Sequence, residues 1–363
     1  MSLEKSYIGP RDVRPFVMKD VSQYAALSNI GIGLDAGIIA KMMDGIGMDA
    51  IQGGVTTASI TTPIQFLQNW LPGQVLVLTA ARKIDELVGI TTAGSWEDEE
   101  IVQPVMELAG TSVPYGDYTN VPFSSWNQNF ERRTIVRFEE GMRVGTLEEA
   151  RAAKVRVNSG ASKRESAGLA LEIQRNRVGF YGYNSGAGRT YGFLNDVSLP
   201  AYVAVAAGVG GGTFWSTKTY LEIIADIVSA MATLQTNSKD NIDPATANIT
   251  IAVATSARQY LNTASAYGKS VMSYIAETYP KARVVSAPEL DGANGGENVM
   301  YVYAEEVVDN SSDGGKTFIQ VVPAKFQVLG VAKLAKGYEE AYSNASAGIM
   351  CKRPYAVVRR TGI

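Results

Sequence analysis

The sequence predicts an α+β protein, and three observations carry that reading. Residues 96–144 hold two alternating apolar–polar segments separated by turn residues, the period-2 pattern of paired strands. A long charged helical run follows at residues 147–179. Residues 219–322 then alternate helix and strand patterns over one compact stretch, which argues an α/β or α+β domain there. The first of these is also the most informative. Its segments are rich in apolar and aromatic residues but too exposed in pattern to form a core. A hairpin of this kind needs a surface that its own chain does not supply, which points to a protein that assembles with copies of itself.

Taken in order, residues 1–62 show no core pattern. Glycine-containing apolar stretches around Ile32 and Ile46 alternate with Thr and Ser, as in an arm or an irregular subregion. Residues 63–70 predict a short helix opened by Pro63 and broken by Pro72 and Gly73. Residues 75–78 are a strand candidate, and residues 80–88 a short helix or a continuing strand. The acidic run Glu97, Asp98, Glu99, Glu100 reads as a solvated helix start, since carboxylates suit a helix N-terminus. Residues 100–113 and 134–144 are the expected arms of the hairpin. Pro104, Pro114 and Pro122 lie in the outgoing arm and the tip, and proline confines a strand to an edge or to irregular pairing.

The helix at 147–179 is opened by Thr146 with Glu149 at capping-box spacing. Unbroken, it would run about 50 Å at ~1.5 Å per residue; Gly160 and Gly168 are the candidate interruptions. Basic residues lead on it: Arg151, Lys154, Arg156, Lys163, Arg164, Arg175 and Arg177 against Glu148, Glu149, Glu165 and Glu172. They make either a solvated face or a face turned toward packaged nucleic acid. Beyond a loop at 184–188, helices are expected at 219–233, 255–260 and 270–279, and strands at 249–254, 284–286, 299–304 and 318–322. Residues 291–297 and 309–315 are Gly/Asn/Asp/Ser loops. Residues 326–358 read as long strands that return to the long helix. No internal repeat is present.

A hydrophobic content of 46% over 363 residues suffices for a sizeable core and, by size, for about two or three domains. With 33 basic and 36 acidic side chains the formal net charge is −3, so no global pull toward nucleic acid exists, although a shell facing packed DNA need not be basic overall. No apolar run reaches the ~20 residues that span a bilayer, and residues 1–10 lack a signal-peptide apolar segment; no membrane contact and a cytoplasmic origin are expected. The single cysteine, Cys351, sits in an apolar run and reads as a buried thiol rather than a nucleophile.

The chain contains no histidine. That excludes a Ser-His-Asp triad and a Cys-His pair, and removes the commonest zinc ligand. Gly208, Gly210, Gly211 and Gly212 lack the GK[ST] of a phosphate loop, and Gly31, Gly33 and Gly37 are spaced one residue too long for a dinucleotide fingerprint. Asp291, Asn294 and Glu297 lack the EF-hand pattern. No catalytic, cofactor-binding or metal-ligating residue is assigned, and no cofactor is expected.

Residues 96–144 (WEDEEIVQPVMELAGTSVPYGDYTNVPFSSWNQNFERRTIVRFEEGMRV) resemble the extended loop of tailed-bacteriophage major capsid proteins with the HK97-type fold. Residues 146–183 are similar to the spine helix of that fold, residues 191–195 (YGFLN) to the turn after it, and residues 347–358 (AGIMCKRPYAVV) to its closing strand. Order and spacing, rather than any one motif, carry the resemblance, which covers much of the chain from Trp96 onward. It implies an N-terminal arm (1–73), a peripheral-domain segment (74–95), the extended loop (96–145), the spine helix (146–192), an axial domain (193–322) and peripheral C-terminal strands (323–363). It implies no enzyme but a structural protein that assembles as homo-hexamers and homo-pentamers of an icosahedral phage head enclosing double-stranded DNA. The virion would be its location and the host bacterial cytoplasm its place of synthesis. Neighbouring capsomers would be partners, as would separate scaffolding, portal and decoration proteins, and DNA would be touched non-specifically. Phe123, Trp126 and Phe130, read as lying at the loop tip, are the candidate assembly-interface residues, because aromatics in a turn-rich segment suit an interface core. Two alternatives stay open: a shell of the same fold that encloses cargo protein, as in encapsulin-type compartments, and an α/β enzyme built on residues 219–322.

Overall fold

The computed structural model describes residues 81–363 apart from 155–157, 185–187, 266–267 and 310. The expected arm to residue 73, the helix at 63–70 and the strand at 75–78 lie outside the described residues. The first described element is a short helix, α1 (Ile84–Val88), so residues 80–88 resolve to helix. The acidic run is not a helix start. Residues 96–97 form a turn in which the Asp98 carboxylate accepts from the Ser95 N–H at 2.7 Å, and Glu100 already begins a strand. The Arg137 guanidinium explains the difference: it donates to the Trp96 and Asp98 carbonyls at 2.7 and 2.6 Å and lies over the Trp96 ring. Those carbonyls are thereby held in the turn.

The hairpin forms with a different return arm from the one expected. β1 (Glu100–Ala109) pairs antiparallel with β2 (Ser125–Thr134), from Glu100 opposite Thr134 to Ala109 opposite Ser125. Residues 134–144 do form a strand, β3 (Val136–Gly145), but it leaves the ribbon and pairs elsewhere. Ile135 marks the divide. Its side chain is buried with Ile319, Val321, Ala345, Ala347 and Met350, and its N–H donates to the Glu99 carbonyl at 2.9 Å. Beyond that anchor the chain belongs to the body.

The long helix is two helices, α2 (Thr146–Lys154) and α3 (Ser159–Tyr181). Asn158 caps the second, its side chain accepting from the Ala161 N–H at 3.0 Å, because a short amide side chain can satisfy an otherwise orphaned donor. Gly168 does not interrupt α3, which runs its full 23 residues, about 34 Å. Gly179 is where α1 crosses it: a Cβ there would come within 2.6 Å of Ile84 Cγ1, so only glycine permits the approach.

A helix and strand pattern of continuous apolar runs builds the main core. The elements are β4 (Val203–Ala204), α4 (Tyr220–Asn237), β5 (Ile249–Ala254), α5 (Val271–Thr278), β6 (Ala282–Ala287), β7 (Val299–Ala304) and β8 (Phe318–Gln320). Thr219 and Glu222 form a reciprocal capping box on α4, and Ser270 caps α5. The helix expected at 255–260 is a single 3-10 turn, Arg258–Asn262. β9 (Ala324–Leu334) and β10 (Gly337–Ser346) form a second hairpin, followed by β11 (Ile349–Cys351) and β12 (Val357–Thr361).

One sheet has the order β4-β12-β7-β5-β6, another β3-β10-β9, and β8 pairs with β11. β5 and β7 are buried at every position, as strands covered on both faces must be. The second sheet lies on α3: Met142, Val144 and Tyr342 pack on Ala167 and Leu171, and Asn344 donates to the Leu171 carbonyl at 2.9 Å. β9 and β10 thus return to the long helix as expected. β11 pairs instead with β8, and β12 lies against β7 in the first sheet.

A saturated ion cluster locks the approach to β12. All five guanidinium N–H donors of buried Arg353 are used, on both carboxylates of Asp309 and Asp313 and on the Lys316 carbonyl, at 2.7–3.1 Å. Hydrogen bonds from Arg353 hold the Asp309 carboxyl down at about 2 and depress Asp313 as well. A carboxyl with a depressed folded pKa contributes stability that is present above its unfolded value near 4 and lost as pH falls toward the folded value. The melting temperature should therefore drop between pH 4 and pH 2. Arg353→Met should lower stability at pH 7 by roughly 3 kcal/mol and shrink that acid-dependent loss. Thermal unfolding followed against pH checks both; an unchanged pH dependence in the variant would remove the cluster from the account.

Candidate assembly surfaces

The register of the β1–β2 ribbon decides what it can do. Residues directly opposite each other share a face. Val102, Pro104, Met106 and Leu108 therefore share one face with Arg132, Phe130, Gln128 and Trp126, while the other face carries Ile101, Gln103, Val105 and Glu107 with Arg133, Glu131, Asn129 and Asn127. One face is apolar over most of its length and the other mainly polar. Nothing among the described residues covers the apolar face: Leu108 is 81% exposed, Met106 62%, Trp126 59% and Phe130 51%. Exposed apolar surface of this continuity on a folded chain marks an interaction site.

Of the three residues singled out in the sequence, the structure brings Trp126 and Phe130 together on that face. Phe123 is separate, in the connection between the strands with Tyr115 and Tyr118, all three almost fully exposed. Only Phe123 lies at the tip; Trp126 is at the outer end of β2 and Phe130 near its middle. Sequence reasoning missed Met106 and Leu108. The alternation of β1 held the signal, but pairing β1 with residues 134–144 aligned the wrong partners.

Among the described residues, the buried attachment of the ribbon to the body is at its root. Arg133 is the one buried residue among β1 and β2, and its Nη2 donates to the buried Asp196 carboxylate at 2.9 Å. Asp196 is itself held from two other places, accepting from the Ser198 N–H at 2.9 Å and the Cys351 N–H at 3.3 Å. Thr134 is bonded twice to the segment after α3, its carbonyl accepting from Thr190 Oγ1 at 2.7 Å and its hydroxyl from the Arg189 N–H at 3.1 Å.

Among the described residues a second unpartnered surface lies at β9, an edge strand of its sheet. Every residue of β9 after Ala324 is exposed, including Phe326, Val328 and Val331. An edge strand leaves a row of backbone donors and acceptors open to another chain. The basic run on α2 and α3 is thinner than its count. Lys163 pairs with Glu148, Arg164 with Glu340, and Arg175 with Asp85, leaving Arg151, Lys154 and Arg177 as the exposed remainder; Arg156 is outside the described residues.

The glycine loop at 208–212 already holds an anion, since the Glu222 carboxylate accepts from the Val209 N–H at 2.6 Å, and a phosphate would be repelled there. Among the described residues no group of His, Cys, Asp and Glu side chains is placed to hold a metal ion, and no helix is long and apolar enough to cross a membrane.

This combination of an α+β body, an uncovered ribbon and an open strand edge defines a shell subunit, and the fold is that of HK97-type phage capsids. It superposes on the capsid protein of the Myoviridae phage XM1 with a TM-score of 0.66 at 15% identity, covering 86% of this chain and 100% of that one. The capsid of a native GTA particle gives 0.57 at 9% identity, with 85% and 99% covered, and Mycobacterium phage Ogopogo gives 0.52 at 10% identity, with 84% and 99% covered. Residues 53–362 match the family of the Pa193 gp26 major capsid protein, and the chain belongs to that family. No curated protein matches the sequence.

Burial, and after it the nearby Asp196, pushes the Cys351 thiol up to about 12. The nucleophile is the thiolate, so this cysteine should be inert in the folded chain. Alkylation by iodoacetamide at pH 8 should be at least about 100-fold slower than in guanidinium-unfolded protein. Comparable rates in the two states would show that the thiol is accessible and the packing around β11 wrong.

Proposed function

We propose that this capsid subunit assembles as homo-hexamers and homo-pentamers that close an icosahedral head around double-stranded DNA. In that assembly the apolar face of the ribbon is buried on a neighbouring copy. The uncovered strip of Met106, Leu108, Trp126 and Phe130 carries the reading, because nothing among the described residues covers it. Stable interfaces bury roughly 1,600 Å² in total, and a projecting ribbon adds such area without enlarging the core. Docking orders the side chains, so part of the gain is offset.

The chain divides, in this proposal, into an arm (1–73), a peripheral segment (74–95), an extended loop, the spine helix (146–192), an axial domain (193–322) and C-terminal strands (323–363). The extended loop is taken as residues 96–145; within it β1 pairs with β2 as far as Thr134, and among the C-terminal strands β12 pairs with β7. The subunit works by association and performs no catalysis. The virion is its destination and the host bacterial cytoplasm its source. Arg151, Lys154 and Arg177 are the candidates for non-specific contact with DNA, and scaffolding, portal and decoration proteins are separate chains.

The combined substitution Phe123→Ser, Trp126→Ser and Phe130→Ser should leave a soluble, folded subunit that forms no closed shells by electron microscopy. Asn127→Ser with Asn129→Ser, on the opposite face, should leave shells intact. Normal particles from the triple variant would refute docking through this face. Particles filled with protein rather than DNA would refute the assignment of contents.

A further inference from the structure

We propose that Arg133 and Asp196 form the latch that sets the direction in which the ribbon leaves the body. The inference rests on the reading that the ribbon must meet a neighbouring copy. Two attachment points suffice to fix the direction of a rod, and beyond the apolar anchor of Ile135 and Ile101 the root provides two polar ones. Thr134, held through both its carbonyl and its hydroxyl, fixes where the ribbon departs. Arg133, one residue further out, reaches back to a carboxylate that β11 and the 196–198 turn already immobilise.

The guanidinium is well suited to this. Its planar fork is directional, and here it also donates from Nη1 to Glu131 at 2.9 Å and lies 5.1 Å from the centre of the Tyr191 ring. Both partners of the pair are buried, with side chains 2% and 0% exposed. Releasing one leaves an uncompensated buried charge, which favours a defined closed position over a continuum of angles. Everything outward of Arg133 on β2 is exposed or half-buried, so the ribbon beyond this level follows the direction set at the root.

Leverage makes the latch matter. A ten-residue strand extends about 33 Å, so a pivot of about 10° at the root displaces its far end by about 6 Å. That exceeds the reach of a van der Waals contact, and Trp126 lies near that far end. Arg133 and Asp196 are positioning residues: they would not touch the neighbour, yet they decide whether Trp126 and Phe130 meet it.

The direct test is a distance measurement on dilute, unassembled chain. Spin labels on Ser124→Cys, beside the ribbon's outer end, and Lys281→Cys, on the body, report ribbon direction by pulsed electron resonance; native Cys351 is buried and stays unlabelled. With Arg133 and Asp196 present the distribution should be narrow. Arg133→Met should at least double its width, Asp196→Asn should widen it, and Arg133→Lys, which keeps the charge without the fork, should fall between. A label pair within the body, Ala232→Cys and Lys281→Cys, should stay narrow throughout, which separates loss of direction from loss of fold. Should Arg133→Met not fold, Arg133→Lys and Asp196→Asn carry the test. Equal widths in every variant, or widening of the body pair to the same extent, would overturn the latch. The serine variants of the apolar face bear on docking alone, and these distances bear on the latch alone.

Discussion

A two-stranded antiparallel ribbon has one pair of strands and two faces, and in water it is marginally stable unless a face is buried. The β1–β2 ribbon offers its apolar face to nothing within the described chain. The free energy of burying Leu108, Met106, Trp126 and Phe130 is thus unrealised in the isolated subunit and available to association. A subunit that kept this surface covered would fold more completely and assemble less. The rest of the structure supports a rod whose useful surface lies far from its attachment.

That support is supplied by the body. α3 underlies the sheet of β3, β10 and β9, and the ribbon root inserts Ile135 among Ile319, Val321, Ala345, Ala347 and Met350 and Arg133 toward Asp196. Behind them stands a continuous apolar core, with Trp215, Ile223, Ile227, Tyr301 and Tyr303 close to fully buried. Arg353 ties Asp309, Asp313 and Lys316 to the approach of β12 with a full set of hydrogen bonds. Rigidity in the body and exposure on the ribbon are complementary requirements, since a docking surface held on a loose frame loses its affinity to ordering entropy.

Much of this was legible in the sequence where one residue pattern had one meaning. ITIAVA and VMYVYA are unbroken apolar runs and became the central strands; Thr219 with Glu222 announced the start of α4. β2 was harder. In SWNQNFERRT the apolar residues are two, Trp126 and Phe130, among eight polar ones, and the period-2 pattern of a solvated ribbon is weak when its other face is Asn and Glu. The return arm was therefore assigned to the more apolar β3. An interruption was expected at Gly160 or Gly168, but the second helix begins at Ser159 on the Asn158 cap, whose role is local and does not show in the charge pattern. A C-terminal strand was expected, but the sheet that β12 joins was not legible: VVRRT carries two arginines, and only the folded chain supplies what buries them, the Pro200 carbonyl and Tyr202 ring for Arg359, and Ser229 and Thr233 for Arg360. Phe123, Trp126 and Phe130 were visible as exposed aromatics, but which of them act together depended on a strand register that sequence alone left open.

Hydrogen exchange along residues 100–134, compared between free subunits and assembled particles, reaches the central claim most directly. If the ribbon is a surface completed by a second copy, its outer amides exchange rapidly in the free chain and become strongly protected in the particle, while β5 and β7 are protected in both. Equal protection of the ribbon in the two states would mean that it is already buried on its own subunit, and the account of assembly built on it would fail.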